Sequence, residues 1–133
     1  MQREKDYLKK KIDKVAEVLA ELLSKVTKTD VAFTKEEFAV EFDKILLDEK
    51  KLSVSILLEM EDENFLKNLK EKHEFNPKQL HVLADLLYQY AANFEESKIN
   101  LNSKVVILYE NCITEGVALS LDKYKLIDKL KNK

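Results

Sequence analysis

A histidine and an aspartate one helical turn apart are the residues of this sequence best placed to do chemistry. His81 and Asp85 are four residues apart, and Tyr88 follows on the same helical stripe. A carboxylate beside an imidazole can orient it for proton or phosphoryl transfer. The same spacing is also common in plain surface pairs that stabilise a helix only weakly. A phosphotransfer protein or small enzyme using His81 and Asp85 is therefore one alternative, and we identify no catalytic residue.

Other reactive residue types are too few, or too poorly spaced, to form a further site. Cys112 is the single cysteine, and no base stands at helical spacing from it, so we expect a small buried core residue. One cysteine and two histidines do not supply a structural zinc site. The acidic residues of 59–63 match neither an EF-hand loop nor a di-iron pattern. We expect no metal and no cofactor.

The composition indicates one soluble helical domain. The chain has 133 residues, a net charge of −2, one glycine and one proline, so helices joined by short polar connections are favoured over strands and glycine-rich loops. Arg3 is the only arginine, and we expect no nucleic-acid partner. The first residues lack the apolar core of a signal peptide, and with a single cysteine this predicts a cytoplasmic protein.

Apolar periodicity and capping signals predict an all-α fold with five or six helices. Thr34 with Glu37, and Asn76 with Gln79 around Pro77, have the spacing of capping boxes. We divide the single domain 1–133 into N-terminal helices (3–75) and a C-terminal hairpin with a capping helix (76–133). The helices are predicted at about 3–27, 35–48, 63–73, 77–96, 102–115 and 121–131, with one or two helical turns at about 53–58.

The C-terminal half contains further local signals. Asp62 is expected to cap the helix at 63–73, and the residues 100–102 are expected to reverse the chain. Gly116 occupies the position of a left-handed C-cap. Ser120 is expected to cap a last helix, whose inward face is predicted to contain Leu121, Tyr124, Ile127 and Leu130.

The first predicted helix has a continuous stripe of apolar residues, called the seam here, and its first turns are rich in lysine. Lys9, Lys10 and Lys11 point about 100° apart on a helix, and acidic neighbours offset them, so a basic binding arm is disfavoured. The seam is wide enough to serve the core of the chain and a second molecule, which makes a homodimer possible. We predict a partner surface on this helix or in the groove beside the helix at 77–96. Its candidate residues are Leu8, Ile12, Val15, Leu19, Leu22, Val26, Tyr88 and Tyr90.

Residues 84–113 resemble one tetratricopeptide (TPR-like) helix pair. Leu87, Tyr90, Ala91 and Phe94 match its first helix, and Val105, Tyr109, Cys112 and Ile113 match its second. The turn glycine of that family is missing. The resemblance implies a helical hairpin of TPR-like geometry.

Most of the chain also resembles a family of small bacterial helical proteins of unknown function. The resemblance rests on Asp6-Tyr7-Leu8 with Ile12-Asp13, on Phe75-Asn76-Pro77, on the segment LADLLYQYA at 83–91, and on Leu108-Tyr109-Glu110. It implies a helical fold and a bacterial origin, and it supplies no catalytic residue.

These observations favour a non-enzymatic protein–protein interaction module or small adaptor. Its partner would be a protein or peptide bound by apolar burial, with charge setting the orientation. Two alternatives stay open: the phosphotransfer protein or small enzyme with His81 and Asp85, and a membrane-surface regulator acting through the amphipathic first helix. Of the possible partners, a membrane is the less favoured.

Overall fold

The described part of the chain contains seven α-helices. A computed structural model describes residues 14–28 and 33–132. The helices are α1 (Lys14–Thr27), α2 (Lys35–Lys50), α3 (Val54–Glu59), α4 (Asp62–Glu71), α5 (Pro77–Asn93), α6 (Lys98–Thr114) and α7 (Leu121–Lys131). The all-α prediction is confirmed, but the count of five or six helices is wrong. The short segment after α2 forms a helix of its own, because the Ser53 hydroxyl accepts a hydrogen bond from the Ile56 amide and caps it.

Two helices begin where the sequence predicts capping boxes. The hydroxyl of Thr34 accepts from the Glu37 amide at 3.1 Å, and the Asn76 side chain accepts from the Gln79 amide at 2.8 Å. In both boxes the third helical side chain also accepts from the cap amide. Both predictions are confirmed, and each box satisfies amides that a helix start otherwise leaves unpaired.

Other helix ends differ from the prediction. Ser120 stands at the N-cap of α7 as predicted, but its side chain makes no capping hydrogen bond. Asp62 is the first residue of α4 rather than its cap, which is Glu61. Gly116 follows α6 with φ of 79°, so the predicted left-handed C-cap is confirmed.

The turn between α5 and α6 lies earlier than predicted. α5 ends at Asn93, a short 3₁₀ turn covers Glu95–Ser97, and α6 already begins at Lys98. The predicted reversal at 100–102 is therefore wrong, because those residues continue the helix. Phe94 leaves the helix and stacks on Tyr90, with ring centroids 4.5 Å apart. Packing of that ring accompanies the turn, and the two asparagines at positions 100 and 102 lie within α6.

The α5–α6 hairpin is the centre of the molecule. α1 packs on α5, while α4 and α7 pack on α6. The two helices of the hairpin are antiparallel, because Tyr109 meets Asp85 while Asn102 lies near Ala91. Residues 122–126 of α7 lie near 85–89 of α5, and residues 129 and 130 lie near 91 and 92. α7 therefore runs in the same direction as α5.

One apolar core connects the described helices. It includes Phe38 and Phe42 of α2, Phe65 of α4, most of the inward face of α5, and Tyr109 of α6. The prediction for the last helix is partly wrong. Ile127 is buried and Leu130 packs against the core, whereas Leu121 is 68% exposed and Tyr124 is 44% exposed.

α7 is rotated relative to the predicted orientation because Lys123, and not Tyr124, points towards the hairpin. The Lys123 ammonium reaches Asp85 on α5. This contact turns the side of α7 that carries Leu121 and Tyr124 away from the core.

No helix within residues 14–28 and 33–132 combines the length and the apolar character that crossing a membrane requires.

Candidate functional site

Asp85 lies where α5, α6 and α7 meet. The Tyr109 hydroxyl and the Lys123 ammonium both donate hydrogen bonds to its Oδ1 atom. The same ammonium lies 3.3 Å from Nε2 of His81 and 5.2 Å from the centre of the Tyr109 ring. His81 and Asp85 are thus neighbours, as their spacing predicts, but Lys123 stands between them as their shared partner.

Burial controls the protonation of this cluster. Desolvation raises the pKa of Tyr109, and the nearby Asp85 carboxylate raises it further, so the hydroxyl stays a neutral donor. Desolvation lowers the pKa of His81; Asp85 opposes this shift and Lys123 reinforces it. Because an ammonium can only donate, Nε2 of His81 accepts at this contact, and the ring is neutral.

The cluster joins three helices and leaves little free acid–base capacity. The same Oδ1 atom of Asp85 accepts both hydrogen bonds, and Nε2 of His81 faces Lys123. Cys112 is buried, as predicted. Burial raises the pKa of its thiol to about 11, so it is not a ready nucleophile. The geometry supports a structural tie that fixes α7 against the hairpin.

A cleft of about 300 Å³ opens beside this cluster. The C-terminal part of α1 forms one wall, α7 forms the other, and α5 with α6 forms the floor. The lining residues are Leu23, Thr27, Asp85, Tyr88, Gln89, Tyr109, Asp122, Lys123 and Leu126. Its walls carry leucine side chains and its end carries charged groups, which is the usual composition of a binding cleft.

A second depression of about 180 Å³ continues along α5 and α7. Its lining residues are Tyr88, Ala91, Ala92, Lys98, Asn102, Lys129 and Leu130. Tyr88 lines both depressions, so the two adjoin at this residue. We call the two depressions together the α5–α7 groove.

The structure divides the predicted partner surface into core and groove residues. Leu19 and Leu22 are buried, and Val15 and Val26 pack against the core, so the described part of the seam is used within the chain. Leu8 and Ile12 lie outside the described residues. The two tyrosines, Tyr88 and Tyr90, are separated.

Tyr88 lines the groove, while Tyr90 packs on the opposite side of α5. The ring of Tyr90 lies 6.0 Å from that of Phe38 and 6.3 Å from that of Phe42. Tyr90 therefore belongs to the contact between α2 and α5, and only Tyr88 of the pair faces the groove.

Sequence reasoning missed most of the groove. Asp122, Leu126 and Lys129 stand at positions i, i+4 and i+7 of α7 and share one side of it. This spacing was available in the sequence. The sequence analysis instead assigned the apolar residues of α7 to an inward face beginning at Leu121. The contact of Lys123 with Asp85 spans 38 residues, and no local pattern indicates it.

The chain was compared with protein-family models, with curated proteins and with solved structures, and no match was found in any of the three. Across the described ranges, no group of three or more His, Cys, Asp or Glu side chains is placed to hold a metal ion. The candidate site therefore rests on the geometry of the groove.

Proposed function

We propose that this protein is a non-enzymatic interaction module that binds a protein or peptide partner in the α5–α7 groove. The observation that carries the proposal is the position of Tyr88 between two adjoining depressions. Tyrosine at the centre of a concave surface is a frequent anchor of protein–protein contacts, because its ring buries a large area at a small entropy cost. We also propose that the protein acts in the bacterial cytoplasm, as the single cysteine and the family resemblance suggest.

The helix arrangement supports a TPR-like version of this proposal. In such repeats, antiparallel helix pairs stack so that the first helices of successive pairs line one side. Here α5 and α6 form the pair, and α7 runs in the direction of α5 beside it. The groove between α5 and α7 is where a partner of a TPR-like unit would bind.

Site-specific photo-crosslinking tests the groove directly. A photoreactive phenylalanine analogue replaces Tyr88 in the full-length chain, which is expressed in the host cell and irradiated. A second variant carries the analogue at Tyr124, which is exposed on α7 but lines neither depression. We expect position 88, and not position 124, to form a covalent adduct larger than the chain. Equal adducts, or none at position 88, would contradict the proposal.

A groove-filling substitution separates binding from folding. Ala92 is exposed and lines the second depression, so Ala92→Trp fills the groove without opening the core. Ala118→Trp, in the exposed connection after α6, is the matched control. We expect Ala92→Trp to abolish the adduct at position 88 while Ala118→Trp keeps it, and both variants to retain the thermal midpoint within a few degrees, as surface substitutions usually do.

A further inference from the structure

We infer that the partner segment is acidic and apolar, with a carboxylate held between Lys98 and Lys129 and a large apolar side chain in the cleft between α1 and α7. The inference rests on the proposed function, and it adds the chemistry and the orientation of the bound segment.

The lining of the second depression carries positive charge and no negative charge. Lys98, Asn102 and Lys129 supply its polar lining, and no acidic residue lines it. None of these three side chains has a hydrogen bond or an ion pair with another described residue. Two ammonium groups and an amide around one small space form a suitable site for a carboxylate.

The opposite end of the groove has the reverse charge. Asp85 and Asp122 line the first cleft together with Lys123, and Lys123 is already paired with Asp85. A carboxylate of the partner would meet repulsion from Asp122 there and attraction from Lys98 and Lys129 at the other end. The groove therefore accepts an acidic group at only one end, which sets the direction of the bound segment.

The location of Lys98 supports a role outside folding. Lys98 is the first residue of α6, and no acidic residue lies in the first turn of that helix. Glu95 and Glu96 lie in the 3₁₀ turn before it, but they line neither depression. A positive charge at a helix N-terminus opposes the helix dipole, so this lysine does not stabilise the helix it begins. Binding an anion would explain a cation at this position.

The size of the groove limits the spacing of the two anchors. Asp85 and Ala92 mark its two ends on α5, and seven residues of helix span about 10 Å. The cleft of about 300 Å³ has room for one or two large apolar side chains, and the depression of about 180 Å³ has room for a carboxylate group. The carboxylate and the apolar anchor are thus at most about 10 Å apart, which is up to about seven residues of a helical partner or three of an extended one.

Selection from a random peptide library tests this chemistry without a known partner. Phage that display random dodecapeptides are selected on the full-length protein and counter-selected on the Ala92→Trp variant, whose groove is filled. We expect the recovered peptides to share an Asp or Glu at a fixed distance from a Leu, Ile, Phe or Tyr. Recovered peptides that are basic or lack a common acid, or no enrichment over the filled variant, would overturn the inference.

Charge reversal identifies the lysines that bind the acid. We expect Lys98→Glu with Lys129→Glu to weaken a recovered acidic peptide roughly tenfold or more in fluorescence anisotropy. The same double variant used as the selection target should return peptides with Lys or Arg in place of the acid. The control is Lys67→Glu with Lys125→Glu, which changes the net charge equally at exposed lysines outside the groove and should leave affinity within about twofold.

The outcomes separate the inference from the proposed function. If the double variant binds the acidic peptides as well as the control does, the carboxylate site is wrong even though the groove binds peptides. If position 88 gives an adduct in cells while the library yields no acidic peptides, the proposed function is supported and the inferred acidic character of the partner is wrong. If position 88 gives no adduct, the proposed function falls whatever the library yields.

Discussion

At the scale of single residues, one carboxylate holds three helices together. Asp85 of α5 accepts from Tyr109 of α6 and from Lys123 of α7, and both charged side chains are largely buried, at 16% and 25% exposure. A buried charge that loses its partner is costly, because the remaining group is left without water and without a counter-charge. Asp85 should therefore matter more to stability than the ion pairs at the surface.

Asp85→Asn is expected to lower the free energy of unfolding by about 1–3 kcal/mol, since it leaves the Lys123 ammonium without its carboxylate. Denaturant unfolding measures the loss. Glu115→Gln is the matched control, because the Lys70–Glu115 pair is 34% and 41% exposed and should cost no more than about 0.5 kcal/mol. Adding Lys123→Met to Asp85→Asn should recover part of the loss. Equal costs for Asp85→Asn and Glu115→Gln would contradict this account.

His81 should make stability depend on pH near neutrality. Folding lowers the pKa of His81, chiefly by burial, so the unfolded chain takes up this proton at a higher pH than the folded chain does. Above the unfolded pKa of 6.5 the ring is neutral in both states and stability is unaffected. As pH falls from 6.5 towards the lower folded pKa, the unfolded chain gains a proton that the folded chain does not, and stability is lost. Stability should thus fall between about pH 7.5 and pH 5.5, where protonation of the ring would place a cation against Lys123.

The His81→Gln variant isolates this effect. Its side chain keeps a hydrogen-bond acceptor for Lys123 and does not titrate. Urea unfolding at about pH 7.5 and about pH 5.5 gives, for each protein, the change in the free energy of unfolding between the two pH values. We expect the smaller change for His81→Gln. A drop in stability that is the same in both proteins would assign the pH dependence to other groups.

Part of this cluster could be predicted from the sequence, and part could not. The spacing of His81 and Asp85 places them on one side of a helix, which holds in the structure. Tyr109 and Lys123 come from helices 24 and 38 residues beyond Asp85. Only the packing of α6 and α7 brings them to it, and single-sequence patterns carry no information on that packing.

At the scale of the helices, local capping chemistry was predictable and tertiary packing was not. Both capping boxes stand at the predicted residues because their hydrogen bonds join groups only three positions apart. The start of α6 was misplaced because the asparagines at positions 100 and 102 are typical turn residues, whereas the turn lies earlier, where Phe94 stacks on Tyr90. The orientation of α7 was wrong for a similar reason, since a lysine occupies a position that helical periodicity alone would give to an apolar residue.

A pair of cap variants tests how far side-chain capping stabilises these helices. Asn76→Ala removes the acceptor of the Gln79 amide at the start of α5 and should cost about 1 kcal/mol. Ser120→Ala changes the equivalent position of α7, where the side chain makes no capping bond, and should cost less than about 0.5 kcal/mol. The shifts of the urea midpoints measure both losses of stability, provided that the m-value is unchanged. A Ser120→Ala loss as large as that of Asn76→Ala would show that Ser120 caps α7 in solution.

At the scale of the whole molecule, the core runs without interruption across the N-terminal and C-terminal halves that the sequence suggested. Leu19 and Leu22 of α1 belong to the same buried cluster as Leu83 and Leu87 of α5 and Tyr109 of α6. α5 contributes one face to its hairpin partner and another to α1. Neither half can bury its apolar surface alone, so the two should fold together.

Unfolding should accordingly be a single transition that includes both halves. We expect far-UV circular dichroism, which reports all helices, and near-UV tyrosine signals, to which buried Tyr109 contributes, to give the same denaturant midpoint.

Leu19→Ala truncates a side chain that is 1% exposed, and it should lower the free energy of unfolding by about 2–5 kcal/mol. Because the core is shared, both probes should shift together, although Tyr109 lies in the other half. A near-UV midpoint that stays in place while the far-UV midpoint falls would mean that the C-terminal half folds on its own. A cooperative transition in an isolated 76–133 fragment would support the same conclusion.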